Sequence, residues 1–200
     1  MNRVVDHQNF TVFPDVYPPS GDTYLLMDSI EVTPDDDFLE VGCGAGLVTL
    51  KGAESARSVV SVDVSLDAVR NTRENLRRRG LDKKCEVFQT DLLTPFNSSS
   101  RFSIIVFNPP YLPEDDMSTG LDHALIGGET GAEVTQRFIP QAVDHLIGGG
   151  RLYVVVSTLA DRDAIQRTME EHRLDVEMVS EEQMFFEKIQ VLRGMLRDRP

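Results

Sequence analysis

The sequence predicts a doubly wound α/β domain, and two observations carry that prediction. Short apolar runs rich in β-branched residues alternate with stretches of helical apolar spacing, and a cluster of glycines follows the first apolar run. Residues 20–30 begin with Ser20 and Asp22 and carry Tyr24, Leu25, Leu26, Met27 and Ile30, the pattern of a helix at the start of the domain. Strands are expected over 38–41, 59–64, Cys85–Gln89, 104–107 and 152–156. Between them, Leu66, Val69 and Leu76 mark a helix over 66–79, and Val134, Phe138, Ala142, Val143 and Leu146 mark another over 134–146. A more polar helix is expected over 161–172. Residues 175–179 and 187–196 read as a closing hairpin around Met184, Phe185 and Phe186. The 200 residues are read as one domain, with an N-terminal extension and helix over 1–32 and the core over 33–200.

Composition narrows the function classes. No apolar run approaches the roughly 18 residues that span a bilayer, and residues 1–16 lack the basic-then-apolar pattern of a signal peptide, so the expected location is the cytoplasm. Cys43 and Cys85 are the only cysteines, and His7, His123, His145 and His172 are scattered; the expectation is ordinary thiols and no metal. Asp and Glu number 33 against 20 Lys and Arg, a formal charge of −13 that repels a phosphate backbone and argues against unaided nucleic-acid binding. Lysine occurs only at 51, 83, 84 and 188, and an acid-rich, lysine-poor surface of this kind suits a halophilic source.

The first strand runs through Glu40 into Gly42, Cys43, Gly44, Ala45 and Gly46. Glycines here let the backbone turn tightly and let a ligand approach without a Cβ in the way. A dinucleotide-binding turn would have its third glycine where Leu47 stands, whereas the spacing Glu-x-Gly-x-Gly-x-Gly resembles motif I of the S-adenosylmethionine methyltransferases. Two more acids fall at strand ends, where open α/β sheets bind their ligands. Asp63 closes the second strand at the place from which a carboxylate can accept ribose hydroxyls. Asp91 closes the third and is followed by Leu92, the positions that face an adenine amino group and ring in the methyltransferase fold.

The fourth strand leads straight into Asn108, Pro109, Pro110 and Tyr111. Two prolines cannot continue a sheet, so the strand stops and the backbone stiffens beyond Asn108. Asn-Pro-Pro-Tyr at this place resembles the motif of enzymes that methylate nitrogens conjugated to a π-system: adenine N6, guanine N2 and glutamine amides. Such a nitrogen is a poor nucleophile because its lone pair is delocalised. The Asn108 side-chain carbonyl and the Pro109 backbone carbonyl can each accept one N–H and favour loss of planarity, and Tyr111 offers a flat surface for stacking.

Taken together, Tyr17-Pro18-Pro19-Ser20-Gly21-Asp22-Thr23, the Glu40 turn, Asp63, Asp91 and the tetrapeptide resemble the short, single-domain branch of the HemK-like protein methyltransferases, over essentially the whole chain. That branch is archaeal and eukaryotic and methylates the glutamine of the Gly-Gly-Gln loop in class I peptide-release factors. The resemblance implies a Rossmann-like class I methyltransferase fold with a mostly parallel seven-stranded sheet and an antiparallel C-terminal hairpin. It implies S-adenosyl-L-methionine as cofactor, held by Thr23, Glu40, Gly42, Gly44, Gly46, Asp63, Asp91, Leu92 and Asn108, with Asn108, Pro109, Pro110 and Tyr111 catalytic. It also implies a heterodimer with a small zinc-binding activator, for which the edge strand Cys85–Gln89 is the expected contact. Gly127-Gly128-Glu129-Thr130-Gly131 resembles the family's glycine-rich stretch after the catalytic loop, expected as a mobile cover. One departure stands out: the branch usually has an acid where Gly21 stands.

Three other readings compete. A nucleic-acid N6-adenine or N2-guanine methyltransferase would use the same tetrapeptide, but charge, size and the N-terminal segment oppose it. A protein lysine methyltransferase would need a base to deprotonate the ammonium, and the sequence offers no dedicated one. A cofactor-binding regulatory subunit would have no use for the intact tetrapeptide.

Overall fold

The structure, a computed structural model, describes residues 10–114 and 125–198; His7, His123 and the start of the N-terminal extension lie outside them. The described residues open with α1 (Gly21–Ser29) and then alternate β1 (Asp37–Val41), α2 (Leu47–Ser55), β2 (Ser58–Asp63), α3 (Leu66–Arg78) and β3 (Cys85–Gln89). It continues through β4 (Phe102–Phe107), the short β5 (Leu112–Pro113) and β6 (Ile126–Gly128), α4 (Glu133–His145), β7 (Leu146–Ser157), α5 (Arg162–Glu171), β8 (Leu174–Gln183) and β9 (Lys188–Leu196).

Seven strands form one sheet in the order β3-β2-β1-β4-β7-β9-β8. The first five in that order run parallel, and β9 pairs antiparallel with both β7 and β8. Alternate residues of each strand feed two cores. Phe38, Ile104, Val106 and Tyr153 pack toward α1, α2 and α3, while Leu39, Ile105, Phe107 and Leu152 pack toward α4 and α5. The central strands are covered on both faces, which is why they read as unbroken apolar runs. Helix starts are chemically marked: the Ser65 hydroxyl accepts the Ala68 N–H at the head of α3, and the Asp161 carboxylate accepts the Ala164 N–H at the head of α5.

The fold expected from the sequence is the one observed, with local differences. The first hairpin strand is longer than the expected 175–179, because β8 is an edge whose exposed Asp175, Glu177, Glu181 and Glu182 hide its strand character, while β9 begins one residue after the expected start at 187. The β5–β6 pair was not anticipated; two or three residues containing Pro or Gly carry no strand propensity.

From β1 the chain winds outward to β2 and β3, then crosses to β4 on the other side of β1. That reversal opens a crevice at the carboxyl ends of β1 and β4, the place where open α/β sheets bind ligands. The glycine turn and the Asn-Pro-Pro-Tyr segment both lie there.

Candidate active site

A cavity of about 670 Å³ occupies this crevice, and every residue expected from the sequence to hold the cofactor or act in catalysis lines it, from Thr23 and Glu40 through Asp63, Asp91 and Leu92 to Tyr111. Its volume suits a cofactor-sized ligand.

The glycine turn forms one wall. Gly42, Gly44 and Gly46 have φ of +69°, +51° and +87°, a region closed to most side chains. A Cβ on Gly46 would lie 2.8 Å from Thr72 Oγ1, whereas one on Gly44 would meet nothing within 4 Å. Gly46 is thus a packing requirement, and Gly44 keeps an open approach to the backbone. The turn is pinned by side chains: Thr72 Oγ1 donates to the Gly44 carbonyl at 2.9 Å, and the Gly44 N–H donates to Asp63 Oδ2 at 2.9 Å. Asp63 Oδ1 accepts the Ser65 N–H at 2.8 Å. Burial raises the Asp63 pKa, and these backbone N–H groups oppose the rise.

Behind the turn, Glu40 is 5% exposed and accepts a short hydrogen bond from Thr49 Oγ1, which also meets Ser61 Oγ at 2.9 Å. Burial pushes the Glu40 carboxyl up to about 8, against the lowering effect of Thr49, and the nearby Asp63 charge adds to the rise. The two cysteines are free, and burial raises both thiols, Cys85 to about 11. They are ordinary thiols in unreactive settings.

On the opposite wall, Leu92 takes φ +50°, strained for a residue with a branched side chain by about 1–2 kcal/mol. Asp91, before it, pairs with Arg137 of α4 at 2.7 Å. Val64 lies beside them, 69% exposed and lining the cavity with an apolar side chain. Neither Arg137 nor Val64 was singled out from the sequence.

The third wall holds the tetrapeptide, organised by a residue whose importance the sequence did not reveal. Asp22, 2% exposed, accepts on Oδ1 from Ser20 Oγ at 2.5 Å, the Thr23 N–H at 2.7 Å and Thr23 Oγ1 at 3.2 Å. Its Oδ2 accepts from Asn108 Nδ2 at 3.0 Å and from the Tyr111 hydroxyl at 3.2 Å. Asp22 thereby fixes which way the Asn108 amide faces. With Nδ2 held, Oδ1 is buried without a protein partner. An unmatched buried acceptor costs about 1–3 kcal/mol, so its retention signals a role. Burial and the Asp22 charge hold the Tyr111 hydroxyl protonated far into alkali. Thr23 serves the helix start, its hydroxyl accepting the Ser20 N–H at 3.4 Å, and lines the cavity as well.

Gly127 and Gly131 brace the tetrapeptide from behind. A Cβ on Gly127 would lie 2.4 Å from the Pro110 carbonyl oxygen, and one on Gly131 2.3 Å from that of Tyr111. The glycine-rich stretch expected as a mobile cover is thus packed against the backbone of 110–111. Among the described residues no cluster of His, Cys, Asp and Glu could hold a metal, and no helix is long and apolar enough to cross a membrane.

A sheet of this order, with a glycine turn after β1 and Asn-Pro-Pro-Tyr after β4, defines the chain as a methyltransferase domain. The chain belongs to the methyltransferase small domain family, whose model matches residues 12–187, and its relatives place it among the HemK-like protein methyltransferases. It is 30% identical over 185 residues to a Methanocaldococcus jannaschii protein named as a protein N5-glutamine methyltransferase, covering 90% of this chain and 92% of that one. Methyltransferase HEMK2 of Mus musculus is 33% identical over 177 residues, covering 82% of this chain and 81% of its own. Among solved structures, the Mtq2-Trm112 complex of E. cuniculi, described as responsible for methylating the eRF1 termination factor, matches with a TM-score of 0.67 at 27% identity, over 91% of this chain and 99% of that one.

Proposed function

We propose that this protein transfers a methyl group from S-adenosyl-L-methionine to the glutamine side-chain amide of the Gly-Gly-Gln loop in a class I peptide-release factor. The observation that carries the reading is the Asn108 Oδ1, buried and unpartnered, its direction set because Nδ2 of the same amide donates to Asp22. It offers one N–H of a planar amide an acceptor, and the Pro109 carbonyl offers the second. Both bonds strengthen as the nitrogen loses planarity and gains positive charge, so they stabilise the transition state more than the bound amide. The named activities of the relatives select glutamine among planar nitrogens, and the formal charge of −13 disfavours a nucleic-acid acceptor.

The residues fit the cofactor. Gly44 would leave backbone open to it, Thr23 lines the same cavity, Asp63 would accept from its ribose hydroxyls, and Asp91, Leu92 and Val64 would border its adenine. When bound, the cofactor supplies an electrophilic methyl on a sulfonium. Glu40 acts from behind the turn by holding Thr49 and the β1 end.

A small zinc-binding activator completes the reading, as the second chain of a heterodimer on β3. This strand pairs only with β2 and is a sheet edge, and within it the one charged side chain is Glu86, flanked by Lys83 and Lys84, where β8 carries four acids along its own length. Its Val87 carbonyl is capped by the Arg73 guanidinium. Val87 itself is 5% exposed and points into the core, so Val87→Lys perturbs folding and does not test the contact.

The test is incubation with labelled cofactor and, separately, release factor, tRNA, rRNA and DNA. Label is expected in the release-factor glutamine and lost in Asn108→Ala; label in a nucleic acid instead would overturn the reading. Co-expression with the candidate activator tests the partner, and a chain fully soluble, monomeric and maximally active alone would exclude it.

A further inference from the structure

Phe185 and Phe186 are 99% and 92% exposed, with ring centroids 6.5 Å apart. Together they present roughly 300–400 Å² of apolar surface, comparable to the largest apolar patch of an ordinary monomer, which is often functional. They do not hang on a loose loop. The Met184 N–H donates to the Glu187 carbonyl at 2.8 Å, closing a four-residue turn. Gln183 Nε2 donates to the carbonyls of Met184 and Glu187, and Glu187 accepts from Ser157 Oγ at the end of β7.

The position of this tip matters more than its exposure. β9 is antiparallel, so the β8–β9 turn rises at the carboxyl ends of β7 and β4, the end of the sheet that carries the cavity. Only β7 separates β9 from β4, which puts the turn about 10 Å to the side of the tetrapeptide. It is seated on the cavity wall: Met184 packs against Gly21, where a Cβ would lie 2.4 Å from Met184 Cε. The glycine found where the related branch has an acid therefore makes room for the hairpin. Glu187 is close enough to add to the rise of the Tyr17 and Tyr111 pKa values. The strand ends beside the rings carry Glu181, Glu182 and Glu187, with Lys188 offsetting Glu181 at 2.9 Å, and Asp15 lines the cavity.

We infer that Phe185 and Phe186 are the docking point for the folded protein substrate, gripping an apolar side chain flanked by basic residues next to the loop that enters the cavity. The inference rests on the proposed function and names where that substrate is recognised. Two rigidly presented rings lose little entropy on contact, and the acidic rim attracts a basic surface.

The test is steady-state methylation by the partner-bound enzyme and by the double variant Phe185→Ser, Phe186→Ser, with whole release factor and with a short Gly-Gly-Gln peptide. Both side chains are solvent-exposed, so the variant keeps its fold and its cofactor affinity. The KM for whole factor is expected to rise tenfold or more, while kcat and the peptide KM stay within twofold. A double variant with unchanged KM for whole factor refutes this inference alone, as does wild-type self-association that the double substitution abolishes without moving that KM. A wild type that labels no release factor refutes the proposed function and this inference with it.

Discussion

Replacing Asp22 by Asn changes one buried oxygen into an amine and should silence the enzyme through a neighbour. In the wild type, Oδ2 receives Asn108 Nδ2 and the Tyr111 hydroxyl, and Oδ1 receives Ser20 and Thr23. An amine in the Oδ1 place would face the Thr23 N–H at 2.7 Å, a donor with no acceptor capacity. The new amide therefore turns its amine toward Asn108 and Tyr111. Asn108 then gains by flipping its own amide, which aims its amine at the cavity where its carbonyl had been. A hydrogen bond to a charged acceptor contributes about 1.5–3 kcal/mol, a bias of roughly 10- to 150-fold for the working orientation. Losing and then reversing that bias predicts a fall in kcat of about 100-fold or more. Thr23 is disturbed less, so cofactor affinity should change by less than about tenfold. Single-turnover methylation with saturating cofactor, alongside calorimetry of cofactor binding, measures both quantities. A folded Asp22→Asn variant with kcat within threefold of wild type would refute the positioning role.

Other expectations follow from the same geometry. Asp63→Ala should weaken cofactor binding by about 30- to 150-fold, from lost charge-assisted bonds of about 2–3 kcal/mol and a freed Gly44 turn; unchanged affinity by calorimetry would defeat the ribose assignment. The Glu40 carboxyl, raised from the usual carboxylate range to about 8, favours the folded state while protonated. Its contribution is complete below about pH 4.5 and is lost as pH rises through about 8, with a limiting slope of about 1.4 kcal/mol per pH unit. Denaturant titrations of Glu40→Gln should accordingly show a flatter loss of stability between pH 5 and 8 than wild type, and parallel curves would contradict the shift. Gly131→Ala sets a Cβ 2.3 Å from the Tyr111 carbonyl at a φ of +75°. It should displace the tetrapeptide and lower kcat more than cofactor affinity, and a fully active variant would show that the brace is dispensable.

What was legible in the sequence was whatever rests on neighbours along the chain. The central strands, the glycine turn and Asn-Pro-Pro-Tyr are continuous segments whose residue types are dictated by local backbone conformation or by burial on both faces. Asp22 was not legible as a hub because Asn108 lies 86 residues away and Tyr111 89; in the sequence it is only the acid before a threonine at a helix start. Arg137 reads as one more charge on an amphipathic helix until the fold brings it to Asp91. Val64 looked like the last residue of a buried strand, and only the end of β2 at Asp63 exposes it. The Met184–Gly21 contact joins an expected hairpin tip to a departure from the family pattern, two features that the sequence presents as unrelated.

Arg73 has a consequence for assembly. Its guanidinium already occupies the Val87 carbonyl on the open side of β3, so a strand arriving there must evict it. Strand addition by the proposed partner at this edge would then be an exchange of one hydrogen-bonded partner for another. The edge is thereby shielded from indiscriminate strand pairing, and the subunit proposed above would meet it in a slower and less exothermic encounter. Truncating Arg73 would tip that balance, hastening association while leaving the unaccompanied chain open to indiscriminate pairing.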